Sequence, residues 1–188
     1  MRRIIKVLLA IFSILIIIIV AFGAVFFLDV VAYTATGSQT LTSQGTSVGA
    51  ALVLYDPGLS GAASRVAEKI ATDLQAKGYT ATLAGIKSSA ASNTAGYSVI
   101  VAGSPIYAGS PTSSVKDFLG SLNPSSGTKV GVFGSGQGAT TPDDVAMIRN
   151  AVPALQSSGA LSGAVVVKIG ESEDLTARAT DFVNQLVS

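Results

Sequence analysis

Five short apolar runs are the feature that most constrains the fold of this chain. They are rich in β-branched residues, as buried strands are, and they span residues 48–55, 79–83, 99–102, 129–133 and 164–169. Helical spacing of apolar residues follows the first, third, fourth and fifth runs, over residues 66–74, 115–122, 145–155 and 175–186. Strands that alternate with helices form a parallel sheet covered on both faces. The pattern therefore predicts an α/β doubly wound domain over residues 47–188.

The N-terminus predicts a membrane anchor. Residues 7–27 form an uncharged apolar run of 21 residues, which as a helix would be about 31 Å long and would match the core of a bilayer. We therefore expect a transmembrane helix over residues 7–28, after a basic flank at 1–6. A cleaved signal peptide is the alternative, because Val-Val-Ala at 30–32 resembles a small-residue cleavage site.

The charges around this run predict its orientation. Arg2, Arg3 and Lys6 precede the run and Asp29 follows it, so the positive-inside rule places the N-terminus in the cytoplasm. We expect a single-pass protein of the cell membrane with its domain outside. Residues 29–46, rich in Thr, Ser, Gly and Gln, have the composition of a flexible linker.

Composition argues against several functions. The 188 residues include no Cys and no His, so disulfide and thiol chemistry and a Ser-His-Asp triad are excluded, and a zinc, haem or other metal site is not expected. The net charge of +1 gives no reason to expect nucleic-acid binding.

The loops after the strands distinguish between doubly wound folds. The first turn, residues 56–61, reads DPGLSG. It lacks the GxGxxG of dinucleotide-binding domains and the Gly-Lys-Ser/Thr of phosphate-loop NTPases. After the third run, Gly103, Ser104 and Pro105 stand where phospho-receiver domains have an Asp. All three families are disfavoured.

Residues 98–119 carry the closest likeness to a known family. They read SVIVAGSPIYAGSPTSSVKDFL, and this strand, loop and helix resemble flavodoxin-like proteins, in which a GSPxYxG loop lies against a flavin ring. The resemblance implies a five-stranded parallel sheet of order 2-1-3-4-5 and FMN as the cofactor. It extends over residues 48–187.

The same resemblance implies three FMN-binding loops. Residues 60–64 are similar to the turn around the FMN phosphate, although Ala63 replaces a hydroxyl of the family pattern, so we expect binding that is weakened. Tyr107 offers a flat face to the ring, and glycines permit close approach of the backbone. The expected cofactor-binding residues are Ser60, Gly61, Ala62, Ala63, Ser64, Pro105, Ile106, Tyr107, Ala108, Gly109, Gly134, Ser135, Gly136 and Gln137.

The resemblance implies electron transfer rather than acid–base catalysis, and we expect no catalytic side chain. The expected function is that of a membrane-anchored FMN-binding protein that exchanges electrons with a membrane or surface redox protein or a quinone. Two alternatives stay open: a flavin-free domain that serves as a binding scaffold, and a flavin-dependent quinone reductase.

Overall fold

The structure is a computed structural model that describes residues 2–32 and 35–188, with side chains described for 6–26 and 35–188. In chain order, the helices and strands are α1 (Arg2–Ala32), β1 (Ser38–Leu41), β2 (Gly49–Tyr55), α2 (Ala62–Ala76), β3 (Tyr79–Gly85), β4 (Val99–Tyr107), β5 (Ser110–Pro111), α3 (Ser113–Ser121), β6 (Lys129–Gly136), α4 (Pro142–Ala151), β7 (Val165–Gly170) and α5 (Leu175–Val187).

The five predicted parallel strands are confirmed. They lie side by side in the order β3-β2-β4-β6-β7, with parallel pairing throughout. Numbered along the chain, this is the order 2-1-3-4-5. The helices that follow β2 and β4 lie on opposite faces of the sheet. The loops at the carboxyl ends of these two strands therefore diverge, at a point where doubly wound domains bind ligands.

Two apolar cores cover the two faces of the sheet. On one face α2 and α5 pack against the strands around Ile70, Phe133 and Phe182. On the other, α3 and α4 pack around Leu52 and Leu119. Strands buried on both faces need continuous apolar sequence rather than alternation, which is why the runs were recognisable in the sequence.

The segment expected to be a flexible linker, residues 29–46, is ordered in part, so that prediction is wrong for residues 35–41. Helix α1 continues to Ala32, and β1 pairs antiparallel with β3 at the edge of the sheet. The pairing is extended by backbone hydrogen bonds from Gly85 to Gly37 and from Lys87 to Ala35, both 2.8 Å. Because β1 lies at the edge of the sheet and faces solvent on one side, its sequence need not be apolar.

Three local elements differ from the predicted pattern. Strand β4 runs through the expected Gly/Pro loop to Tyr107. Helix α4 ends at Ala151, because Pro153 disfavours the helical conformation for Val152, the residue before it. A 3₁₀ turn continues the chain to Leu155. Residues 84–96 follow the second run, the one run without helical spacing after it, and contain one 3₁₀ turn at Ser89–Ser92.

One helix among the described residues is long and apolar enough to cross a membrane. Its apolar part is Lys6–Phe26, and none of it is buried against the rest of the chain. Its exposed apolar side chains contrast with the rest of the described residues, where only Val48, Leu59 and Met147 are large, apolar and exposed.

Candidate flavin site

The carboxyl ends of the parallel strands enclose an open cavity of about 540 Å³. The structure brings residues from all three predicted loops to its wall, namely Ser60, residues 105–109 and residues 135–137. Of the other predicted residues, Gly61, Ala62, Ala63 and Ser64 form the start of α2 beside the cavity. Gly134 does not line it: a side chain there would collide with Ile106, since its Cβ would lie 2.6 Å from Ile106 Cδ1.

A buried carboxylate holds the turn between β2 and α2. Asp56 is fully buried, and its side chain accepts hydrogen bonds from the Ser114 hydroxyl (2.7 Å) and the Gly58 amide (3.3 Å). Gly58 and Gly61 have φ values of +62° and +66°, which glycine adopts without strain. The turn thereby brings the free amides of the first turn of α2 to the edge of the cavity.

Ser60 lies at the centre of this turn. Its hydroxyl accepts a hydrogen bond from the Ala62 amide (3.3 Å) and donates one to Glu171 Oε1 (3.1 Å). The N-cap position itself is occupied by Gly61. The structure therefore places a serine hydroxyl, helix amides and a carboxylate together where the resemblance predicts a phosphate.

The second loop is a β-hairpin rather than an irregular loop. Ile106 pairs with Pro111 and Tyr107 with Ser110. The two residues between them, Ala108 and Gly109, have φ values of +49° and +78°, as in a type I′ turn. Ala108 is the one non-glycine residue with positive φ among the described residues, so the hairpin contains local strain.

Tyr107 connects the hairpin to the first turn. Its hydroxyl accepts a hydrogen bond from the Leu59 amide, at 3.2 Å. On its other side, the ring meets Phe26 of α1 edge-on, with ring centroids 5.0 Å apart. The ring that the sequence predicts beside a flavin is therefore held between the turn and the end of the apolar helix.

A charged pair forms the opposite wall. Lys168 on β7 is only 7% exposed and forms an ion pair with Asp144 of α4 at 3.2 Å. Hydrogen bonds from the Thr141 amide (2.7 Å) and hydroxyl (2.8 Å), assisted by the Lys168 ammonium, lower the pKa of Asp144. The Asp144 carboxylate therefore stays ionised at neutral pH, opposite the ammonium of Lys168.

Glu173 supports the loop next to this wall. Burial acts to raise the pKa of its carboxyl, but hydrogen bonds from the Thr140 hydroxyl (2.6 Å) and the Gly170 amide (2.7 Å) outweigh burial and lower it. Arg178 adds to this lowering. The ionised carboxylate ties the chain after β6 to the end of β7.

Sequence reasoning did not find several residues of the wall. Lys168, Asp144, Met147 and Glu171 line the cavity together with Leu59 and Phe26. A lone lysine in the apolar run AVVVKI was a usable signal for Lys168, because a buried cation requires a partner. The others lie far apart in the chain and no motif connects them.

The geometry fits a flavin mononucleotide. Tyr107 lies in the wall of the 540 Å³ cavity, and the hairpin and residues 135–137 bring backbone to its edge. Ser135 is 1% exposed, and its hydroxyl has no hydrogen-bond partner among the described residues, so the wall contains a polar group that a polar ligand would satisfy. The amides of α2 suit a phosphate.

Several solved structures are similar to this chain in fold. Among solved structures, the Flv1 flavodiiron core from Synechocystis sp. PCC6803 has a TM-score of 0.54 at 21% identity, over 77% of this chain and 37% of that one. Flavodoxin 2 from Bacillus cereus and the flavodoxin of Streptococcus pneumoniae TIGR4 each have a TM-score of 0.53 at 21% identity, over 73% of this chain and 97% of theirs.

These structural likenesses support the fold. No curated protein is similar enough in sequence to count as a relative. The family model described as flavodoxin matches residues 58–182, which is well over half of the chain and includes all three loops of the cavity. The chain therefore belongs to the flavodoxin family, whose members bind FMN.

Proposed function

We propose that this protein binds FMN in the cavity at the carboxyl ends of the strands and exchanges electrons with a partner at a membrane. The observation that carries the proposal is the meeting of three loops around Tyr107, in a chain of the flavodoxin family. FMN supplies the redox chemistry when it is bound, and the protein supplies position, shielding and electrostatics.

Different residues of the cavity would contact the ring and the phosphate of the cofactor. Tyr107 and the turn at Ala108 and Gly109 lie where they would flank the ring, and residues 135–137 would hold its other edge. Ser60 and the first amides of α2 would bind the phosphate. The ammonium of Lys168 would offset the carboxylate of Asp144 beside the ring, which weakens the negative field that lowers a flavin's reduction potential.

The membrane part of the proposal rests on helix α1. Phe26, near the C-terminal end of its apolar stretch, contacts Tyr107 and lines the cavity. With α1 across a bilayer, the mouth of the cavity would lie next to the membrane surface. The positive-inside rule applied to Arg2, Arg3 and Lys6 favours a domain outside the cytoplasm.

The mouth of the cavity favours a quinone reductase as the second candidate. Leu59 is 55% exposed and Met147 is 43% exposed, and both lie at the cavity with Phe26. An apolar rim suits an apolar electron acceptor from the bilayer. In that reaction, bound FMN would supply the two-electron redox chemistry by which NADH reduces a quinone to a quinol.

Visible absorption of the purified full-length chain in detergent tests the proposal. After incubation with FMN and removal of free ligand, we expect a bound flavin spectrum that Gly61→Glu abolishes, because a carboxylate would repel the phosphate. Gly127→Glu is a matched control, since Gly127 also has positive φ (+84°) and open space around it, but precedes β6 at the other end of the sheet.

Each outcome decides between the candidates. A folded wild-type protein that retains no flavin would contradict the proposal and favour the binding scaffold. Bound flavin that oxidises NADH in the presence of a soluble quinone would favour the quinone reductase over an electron carrier. Protection of a C-terminal tag from protease added to intact cells would contradict the proposed orientation.

A further inference from the structure

A second, smaller cavity continues the flavin site beyond the first turn. It measures about 90 Å³, and Ala62, Arg65, Ser135 and Glu171 contribute to its wall. Ser135 and Glu171 also line the larger cavity. The two cavities therefore adjoin at the start of α2, as a ring site and a phosphate site of one ligand would.

We infer that Arg65 binds the FMN phosphate and that Glu171 opposes it, so that these two charges set the preference for FMN over riboflavin. This inference rests on the proposed function and names residues that the sequence motif does not include. The guanidinium of Arg65 is placed for this role, because Nη1 lies 3.8 Å from the position that a Cβ on Gly61 would take.

Arg65 has capacity to bind an anion. Its Nη1 donates a hydrogen bond to the Ser60 carbonyl at 3.3 Å, while a guanidinium has five N–H donors in all. The ion pairs of the described residues join Lys69 to Asp73, Lys168 to Asp144 and Arg178 to Glu173, and none of them involves Arg65. Arg65 is therefore not in ion-pair contact with a carboxylate among the described residues.

Without a bound anion, the position of Arg65 near the N-terminus of α2 is unfavourable. It is the fourth residue of the helix, and the first turn contains no acidic residue. The helix dipole favours anions at this end and opposes a cation. A bound phosphate removes the conflict, since it would be stabilised by the dipole and by the guanidinium together.

Arg65 also makes up for donors that the turn lacks. Ala63 has no hydroxyl, and the hydroxyl of Ser60 already donates to Glu171. The backbone amide of Glu171 donates to the Gly136 carbonyl at 2.8 Å, and its side chain would have to turn away for a phosphate to bind at Ser60. The phosphate would then lie beside the guanidinium of Arg65, which attracts it, and no longer beside the carboxylate of Glu171, which repels it.

Titration of the full-length chain in detergent with FMN and with riboflavin, followed by flavin fluorescence, tests the inference. We expect Arg65→Gln to weaken FMN binding about tenfold, Arg65→Lys to retain part of the affinity, and Glu171→Gln to strengthen FMN binding by a few fold. Riboflavin affinity should stay unchanged in all three, because riboflavin has no phosphate.

Lys77→Gln is the matched control. It removes one positive charge from the other end of α2, roughly 18 Å away, and should leave both affinities unchanged. Equal FMN affinity of Arg65→Gln and wild type would overturn the inference, as would an equal loss in the control, while the proposed function would stand. Wild-type protein that binds neither flavin overturns both.

Discussion

The two loops that meet at Tyr107 are built by different means. The hairpin after β4 is held by strand pairing and a two-residue turn, which are backbone interactions. The turn after β2 is held by side chains, chiefly the buried Asp56 and the hydroxyl of Tyr107. The ring side of the site should therefore survive most single substitutions, whereas the phosphate side should not.

Among the substitutions considered for these two loops, Asp56→Ala should lower the stability of the protein most. It leaves the Ser114 hydroxyl and the Gly58 amide without their acceptor, and we expect a loss of about 3 kcal/mol in the free energy of unfolding. Urea denaturation of the full chain in detergent, followed by circular dichroism, measures the change. The exposed Asp143→Ala is the control and should cost less than about 0.5 kcal/mol. Equal effects would show that Asp56 does not support the turn.

Thr141→Ala tests the charged wall on the ring side. Loss of the N-cap should cost about 1 kcal/mol at pH 7. The pKa of Asp144 is lowered in the folded protein, so its contribution is complete above the ordinary carboxyl pKa and is lost as the pH falls below about 4. The difference between variant and wild type should therefore shrink in acid. A difference that is constant from pH 7 to pH 3 would contradict this account.

Tyr107→Phe separates the hydroxyl from the ring. The Leu59 amide loses its acceptor at an exposed site, so we expect a loss of about 0.5–1 kcal/mol, measured by urea denaturation. FMN affinity should fall less in this variant than in Tyr107→Ala, which also removes the ring. If Phe and Ala lower FMN affinity equally, then the hydroxyl rather than the ring determines binding.

Ala108→Gly should have the smallest effect and the opposite sign. Glycine removes the strain of positive φ, and this gain exceeds the cost of the greater conformational entropy that glycine gives the unfolded chain, so stability should rise by about 0.5 kcal/mol. Ala160→Gly is the control in an exposed turn without positive φ, and it should be neutral or destabilising. Destabilisation by both would mean that the hairpin is not strained.

The sequence was sufficient for the central sheet and insufficient for its surroundings. Buried parallel strands such as β2 and β7 are visible as apolar runs. The edge strand β1 was missed because its residues are polar, and the end of β4 was read as a loop because Gly103 and Pro105 are poor strand residues. Pro105 nevertheless lies in register with Ser135.

For the site, the sequence predicted the loops but not the charges between them. Lys168 and Asp144 are separated by 24 positions, and Ser60 and Glu171 by 111. Such pairs depend on which loops the parallel sheet places side by side at the carboxyl ends of its strands, and no local pattern encodes that. The sequence of the first turn does not reveal the role of Asp56, because its burial depends on the contact with Ser114 of α3.

The hydrogen bond from Lys87 to Ala35 has a consequence for how the protein would find its partners. It leaves two residues, Tyr33 and Thr34, between the end of α1 and the first residue bound to the domain. Three Cα–Cα steps of 3.8 Å reach at most about 11 Å. In the proposed anchored arrangement, the domain would therefore travel with its helix. Encounters with electron partners would then be limited by lateral diffusion in two dimensions rather than by a search through the surrounding solution.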